Sequence, residues 1–314
     1  MSFDLSGLAA YTDQLSTDLV SEALLKSYSV QMLTVLPGKT AGTSAINLLN
    51  SNPYIIDQTC GFGAAQVGPG GATGNSTVFD QINLVVQAKM MKEQLCPSDL
   101  YNVWISSQLS PSTYLESVPF EERIAKNKVD NIAAYIENTI WQGDGGSING
   151  LLAEATIANG AIAATGAGIT VPLAVGTAFT TIWSIINKLS NALKQENDLI
   201  MYMSYTNYQI AIQSLLAQGN SILSQYPNIM NATGDSPSTL VWPGTNVTLY
   251  AAGGINTNNH IILAPKKYMF FGTGLLDDQD NFKFYYDSSQ DIVNFRSSFK
   301  LGVNCYASQV VSTI

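Results

Sequence analysis

The sequence predicts an α+β protein in which a long helix stands between two stretches of extended chain. Three observations carry this reading. Residues 77–91 alternate, with Ile82, Leu84, Val86, Ala88 and Met90 set against Gln81, Asn83, Gln87 and Lys89. That two-residue period marks a half-buried strand of unusual length. Apolar residues then recur mostly three or four apart at Phe120, Ile124, Val129, Ile132, Ala133, Ile136 and Ile140, which draws one buried stripe along a helix. The chain returns to β-type sequence over 282–286, 292–299 and 302–311.

Taken in order, the chain opens as an arm. Leu8, Tyr11, Leu15 and Leu19 stand at helical spacing, Leu24, Leu25 and Tyr28 follow, and an extended run leads to Pro37-Gly38. Residues 61–74, Gly-Phe-Gly-Ala-Ala-Gln-Val-Gly-Pro-Gly-Gly-Ala-Thr-Gly, form a glycine-rich loop tip. Flanked by extended chain, this tip predicts a projecting β-hairpin, which a compact monomer has little reason to push into water.

The helix is expected over 119–142. Pro119 has no amide proton to lose in the first turn, and Glu121 and Glu122 face the positive end of the dipole. Gly143-Asp144-Gly145-Gly146 stops it. At a rise of 1.5 Å per residue the rod is about 35 Å long, a spine for something larger than itself. Helix and strand alternate from 145 to 265. Phe179, Ile182, Trp183, Ile186, Leu189 and Leu193 mark one helix from about Thr177. A strand over 199–204, a helix over 206–217 ended by Gly219, and strands over 248–251 and 260–264 follow.

Composition narrows the function. At 314 residues the chain can bury a sizeable core, and a hydrophobic fraction of 46% fits an ordered protein. Charged residues are only 12%, against roughly 25% in soluble domains. Neutral polar side chains lose less on desolvation, so this surface suits burial against copies of itself. A net charge of −9 with 14 basic residues argues against a nucleic-acid reader, and no basic run would hold an anionic membrane. The uncharged run from Glu154 to Lys188 exceeds the ~20 residues of a membrane span. Gly160, Gly166, Gly168, Pro172 and Gly176 interrupt it, so it reads as buried strand and loop before a helix. Cys60, Cys96 and Cys305 show no paired spacing and predict thiols in a reducing compartment.

Motifs that suggest chemistry have simpler readings. Gly38-Lys39-Thr40 lacks the upstream glycine of a phosphate loop, because position 33 is Leu33; it reads as a turn. Gly61 and Gly63 are followed by Gln66 where a dinucleotide fingerprint needs Gly or Ala. Asp277-Asp278-Gln279-Asp280-Asn281 has oxygen ligands but neither the spacing nor the closing Glu of an EF-hand, and reads as an exposed turn. His260 is the sole histidine, expected at a strand start with a satisfied ring, and no Gly-x-Ser-x-Gly elbow accompanies it. No pair of carboxylates is singled out for acid–base work. The chain therefore reads as a non-enzyme with no cofactor and no metal.

Three local patterns resemble the major capsid protein of tailed bacteriophages, the Hong Kong 97-like shell fold shared with encapsulins. The first is Ile136-Glu137-Asn138-Thr139-Ile140-Trp141-Gln142-Gly143-Asp144 followed by Asn149-Gly150-Leu151-Leu152. The second is Met201-Tyr202-Met203-Ser204-Tyr205-Thr206 through Leu215-Leu216 and Gly219. The third is Asp287 and Asp291-Ile292 through Phe299-Lys300-Leu301-Gly302-Val303. The resemblance covers nearly the whole chain and is one of architecture.

It implies an N-terminal arm over 1–45 and an extended β-hairpin loop with flanking strands over 46–95. A peripheral domain with the spine helix would cover 96–144, an axial domain 145–265, and strands returning to the peripheral domain 266–314. It further implies a virion structural protein, assembled in the host cytoplasm, whose copies form hexamers and pentamers of an icosahedral shell around double-stranded DNA. Partners would be other copies, a portal, and separate scaffold and decoration proteins where the particle uses them; the DNA would be enclosed, not read, and no membrane would be involved. Phe62, Gln66, Val67 and Asn75 at the hairpin tip are the expected assembly contacts. Residues 61–80 contain no lysine, and Lys89 and Lys92 lie at the strand end, which disfavours the isopeptide cross-links of some relatives. The chain starts close to the arm, which suggests a separate scaffold protein or none. An encapsulin-type compartment is the alternative, and a soluble enzyme or binding protein a more distant one. The sequence leaves open whether Cys60 pairs between subunits.

Overall fold

The computed structural model describes residues 26–52, 76–96, 120–217, 239–257, 259–274, 282–287, 289–290 and 292–314. Its helices are α1 (Tyr28–Gln31), α2 (Phe120–Gln142), α3 (Leu151–Glu154), α4 (Ala178–Ile186), α5 (Asn191–Lys194) and α6 (Tyr205–Ala217). The strands are β1 (Thr34–Leu36), β2 (Gly42–Asn52), β3 (Ser76–Leu95), β4 (Ile162–Ala163), β5 (Leu199–Met203) and β6 (Thr239–Val241). They continue as β7 (Val247–Ala251), β8 (Ile261–Pro265), β9 (Met269–Thr273), β10 (Phe282–Asp287), β11 (Ile292–Cys305) and β12 (Val311–Ser312). Two six-stranded sheets result. The first runs β1-β9-β11-β3-β2 with β10 also paired to β11; the second runs β4-β12-β8-β5-β7-β6.

The helix α2 is the spine that the apolar period predicts. Val129, Ile132, Ala133, Ile136 and Ile140 are all buried along it. Val129, Ile132, Ile136 and Ile140 share one core with Phe271 of β9 and Val293, Phe295, Phe299 and Leu301 of β11 from the first sheet. Ile200 and Tyr202 of β5, Tyr250 of β7 and Ile262 of β8 bring the second sheet into the same core. The intervening residues point the other way. Met201, Met203, Leu249, Ile261 and Leu263 pack with Ile182, Ile185 and Leu215 of α4 and α6. The second sheet is therefore buried on both faces, which is why β5 and β8 read as unbroken apolar runs.

Several expectations need correction. The helix expected from Thr177 through Leu193 is two, α4 and α5. Ser190 takes an extended conformation between them and its hydroxyl accepts from the Leu193 amide, so a new N-cap begins there. The strands expected over 292–299 and 302–311 are one strand, β11, through Cys305. The chain then makes a 3-10 turn over Ala307–Gln309, and β12 joins the second sheet between β4 and β8. β3 runs four residues beyond the expected end, and β6 had no sequence signal.

Candidate assembly interface

β2 and β3 form a two-stranded antiparallel ribbon whose pairs run from Gly42 with Val86 to Asn52 with Ser76. At ~3.4 Å per residue the ribbon is about 35 Å long. β3 pairs with β11 only from Gln87 onward, where Gln87 meets Leu301. Below that point β2 is the edge of the sheet. Over Gly42–Asn52 it has neither charge nor proline, the devices that usually blunt a free edge.

The ribbon's base is fixed by close contact. Gly272 of β9 and Gly302 of β11 are cross-strand partners. A Cβ on Gly302 would lie 2.2 Å from the Val85 carbonyl oxygen, and one on Gly272 would lie 2.6 Å from Leu84 Cδ2. Leu84 and Val86 are fully buried there. The Asn304 side-chain amide donates to the Asn83 carbonyl at 2.8 Å, and the Tyr306 hydroxyl donates to Asp80 Oδ2 at 2.5 Å.

A second set of contacts ties β3 to the spine. Lys89 pairs with Asp144 just past the end of α2, and buried Lys128 of α2 pairs with Glu93. Asp144 also accepts the Gly146 and Ile148 amides at 2.9 Å each. Burial alone would raise its pKa, but the Lys89 ammonium and the two amides outweigh that and hold the carboxyl well below its ordinary range. The turn is tight because Gly143 bridges to Asn149, and a Cβ on Gly150 would lie 2.2 Å from the Trp141 carbonyl oxygen. That approach gives the Gly143-Asp144…Asn149-Gly150 pattern its physical meaning.

The segment around α1 is latched to the same helix, and no sequence signal foretold it. Glu137 accepts the Ser27 hydroxyl at 2.8 Å, the Ser29 amide at 3.1 Å and the Ser29 hydroxyl at 2.5 Å. Ser29 Oγ also accepts the Trp141 indole N–H at 2.7 Å and lies 3.2 Å from the Tyr250 hydroxyl. Burial, and then the Glu137 carboxylate, raise the Tyr250 phenol well above its usual pKa. One serine thus joins the α1 segment, spine and second sheet.

The expected contacts Phe62, Gln66, Val67 and Asn75 lie outside the described residues, as do Cys60 and the turn expected over 277–281. Gly38, at φ 69°, is the turn expected after β1. His260 stands at the start of β8, but its Nδ1 is buried without a hydrogen-bond partner, so the expected satisfied ring is corrected; burial lowers its pKa. Among the described residues no His, Cys, Asp and Glu cluster could hold a metal, and no helix is long and apolar enough to cross a membrane.

No family model matches the chain, and no curated protein matches it. Solved structures do. The capsid of a native GTA particle superposes with a TM-score of 0.55 at 13% identity, over 91% of this chain and 95% of that one. The capsid of Myoviridae phage XM1 gives 0.55 at 13% identity, over 91% and 90%. A virus-like particle from Pyrococcus furiosus gives 0.53 at 10% identity, over 97% and 99%. At such identities the likeness is one of fold, and the chain has the Hong Kong 97-like shell fold.

Proposed function

We propose that this chain is the structural subunit of an icosahedral viral capsid, a major capsid protein of tailed-phage type. Its copies form hexamers and pentamers that enclose double-stranded DNA. The observation that carries the proposal is the β2–β3 ribbon with its uncharged β2 edge, set on a fold whose matched structures are capsids over 91% of this chain. An edge of that length without charge or proline is stable in water only when something covers it.

Shell physics fits such a part. A standard interface buries about 1,600 Å², yet lost rigid-body freedom consumes much of the gain. Single contacts stay weak enough to correct, while a subunit held by several neighbours is trapped once the shell closes. In this reading residues 1–45 are the arm, 46–95 the extended loop, 96–144 the peripheral domain, 145–265 the axial domain, and 266–314 the return strands. The hairpin tip, with Phe62, Gln66, Val67 and Asn75, rests on a neighbour. The protein is a virion component assembled in the host cytoplasm. A portal and separate scaffold or decoration proteins complete the particle, and the chain catalyses nothing.

A second reading, a compartment shell around protein cargo, is favoured by the likeness to the Pyrococcus furiosus virus-like particle across 97% of this chain. Electron microscopy of the chain expressed alone and with its gene neighbours tests both. Shells that protect DNA from nuclease support the capsid, and shells around a protein support the compartment. A compact monomer that persists at high concentration refutes both.

A further inference from the structure

We propose that Lys92, Arg296 and Lys283 form a docking row for carboxylates of a second copy of this chain. The inference rests on the shell reading and assigns one of its contacts. Arg296 of β11 is the direct cross-strand partner of Lys92 on β3 and of Lys283 on β10. Residues directly opposite share a face with Cβ atoms about 5 Å apart, so three positive charges fall within roughly 10 Å. Phe295 and Ser297, either side of Arg296, are buried, so the row points away from the core. All three of its residues are exposed.

Like charges directly opposite one another destabilise a sheet. None of the three meets a carboxylate among the described residues, whereas Lys26, Lys89, Lys128 and Lys267 each do. The chain carries 23 acidic residues against 14 basic ones, yet no carboxylate among the described residues sits on this row. The isolated subunit is therefore frustrated at this spot, and an anionic partner relieves it.

The shape of the row selects the partner. The neighbouring rows are neutral: Asn294 faces Gln94 and Tyr285, and Ser298 faces Met90. Lys300, opposite Ala88, already has an interaction within the chain. Strong duplex binding draws on many phosphate contacts, on the order of 6–10 in strongly salt-dependent cases. One row of three cations instead fits a short carboxylate-bearing segment, and the acidic excess of every copy supplies such segments. Charge complementarity of this kind fixes register and rejects wrong approaches.

The test removes the charges in the full chain, with Lys92→Gln, Arg296→Gln and Lys283→Gln combined, and with Arg296→Gln alone as a milder variant. Unassembled, both are expected to melt no lower than the wild type, because repulsion has been relieved. Their critical concentration for assembly, followed by light scattering and electron microscopy, is expected to rise, about tenfold for the triple variant. Wild-type assembly should also weaken with salt more steeply than the variants'. If the variants assemble at the wild-type concentration and salt dependence, the inference fails while the wild-type shells keep the shell reading. Unchanged assembly with loss of short-duplex DNA binding would give the row to phosphates and equally overturn it. A wild type that stays monomeric removes the shell reading, and the inference with it.

Discussion

Gly302 on β11 lies under the backbone of Val85 on β3, so close that a Cβ would sit 2.2 Å from the Val85 carbonyl oxygen. The crossing falls where β3 changes partner, since Gln87 is its last pair with β11 and Val86 its first with β2. With Gly272 opposite, the two glycines leave a bare strip over which the ribbon departs from the sheet. Gly302→Ala meets backbone that cannot move aside and is expected to cost about 3 kcal/mol. Gly272→Ala meets the flexible end of Leu84 and should cost about 1 kcal/mol. Denaturant midpoints of the unassembled variants check the order, and a larger loss for Gly272→Ala would contradict it.

The ribbon should be dispensable for folding and indispensable for assembly. Leu48 and Asp80 are cross-strand partners, so an Asn-Gly turn can join them and delete everything between. The shortened chain is expected to keep its melting temperature and form no shells in electron micrographs. Normal shells from it would remove the ribbon's proposed role.

Ser29→Ala should loosen the arm. It strands the indole N–H of fully buried Trp141, removes the neighbour of the Tyr250 hydroxyl, and takes one donor from Glu137. Unmet buried groups of this kind cost about 1–3 kcal/mol. Limited proteolysis should cut the variant's arm faster, while Ser44→Ala, on the ribbon, should leave that rate unchanged.

Acid should act through Asp144. Its folded pKa lies below the ordinary 3.8, so its stabilising contribution is complete above that value and declines as pH falls through and beyond it. Asp144→Asn retains an acceptor for the Gly146 and Ile148 amides but cannot titrate. Wild-type stability is expected to fall more steeply than the variant's between about pH 5 and 2. Parallel pH profiles of the two proteins would show the carboxylate to be idle.

The cysteines should differ in reactivity. Burial, with the Glu154 carboxylate second, pushes the Cys305 thiol up to about 12, while Cys96 is exposed. A maleimide reagent at neutral pH is expected to leave Cys305 unmodified until denaturant is added, as read by peptide mass spectrometry. Rapid native labelling of Cys305 would show that its cover opens.

Local pattern settled a good deal. The apolar period of the spine located α2 to within a residue, because one face of a helix must stay buried along its whole length. Alternation located β3, since two-residue periodicity has one structural solution, and the glycine-rich stretch between extended segments suggested that β3 belongs to a hairpin. It failed around Gly302, read as the start of a second strand, because a glycine that admits a crossing backbone looks the same in sequence as one at a strand boundary. It failed again at Ser190, where a cap inside an apolar helical run splits it. The expected contacts at the hairpin tip rest on the sequence alone.

What the sequence determined by itself is therefore the long, strongly periodic elements, the scarcity of charge and the lack of familiar catalytic motifs, all properties of short windows or of the whole composition. Which strand neighbours which was decided only by tertiary structure. Ser29 meets Glu137 from 108 positions away and Tyr250 from 221, and Lys92, Arg296 and Lys283 fall into one row only through the register of three strands. Such contacts follow no local period, because they minimise the free energy of the whole packed chain and not of any segment within it.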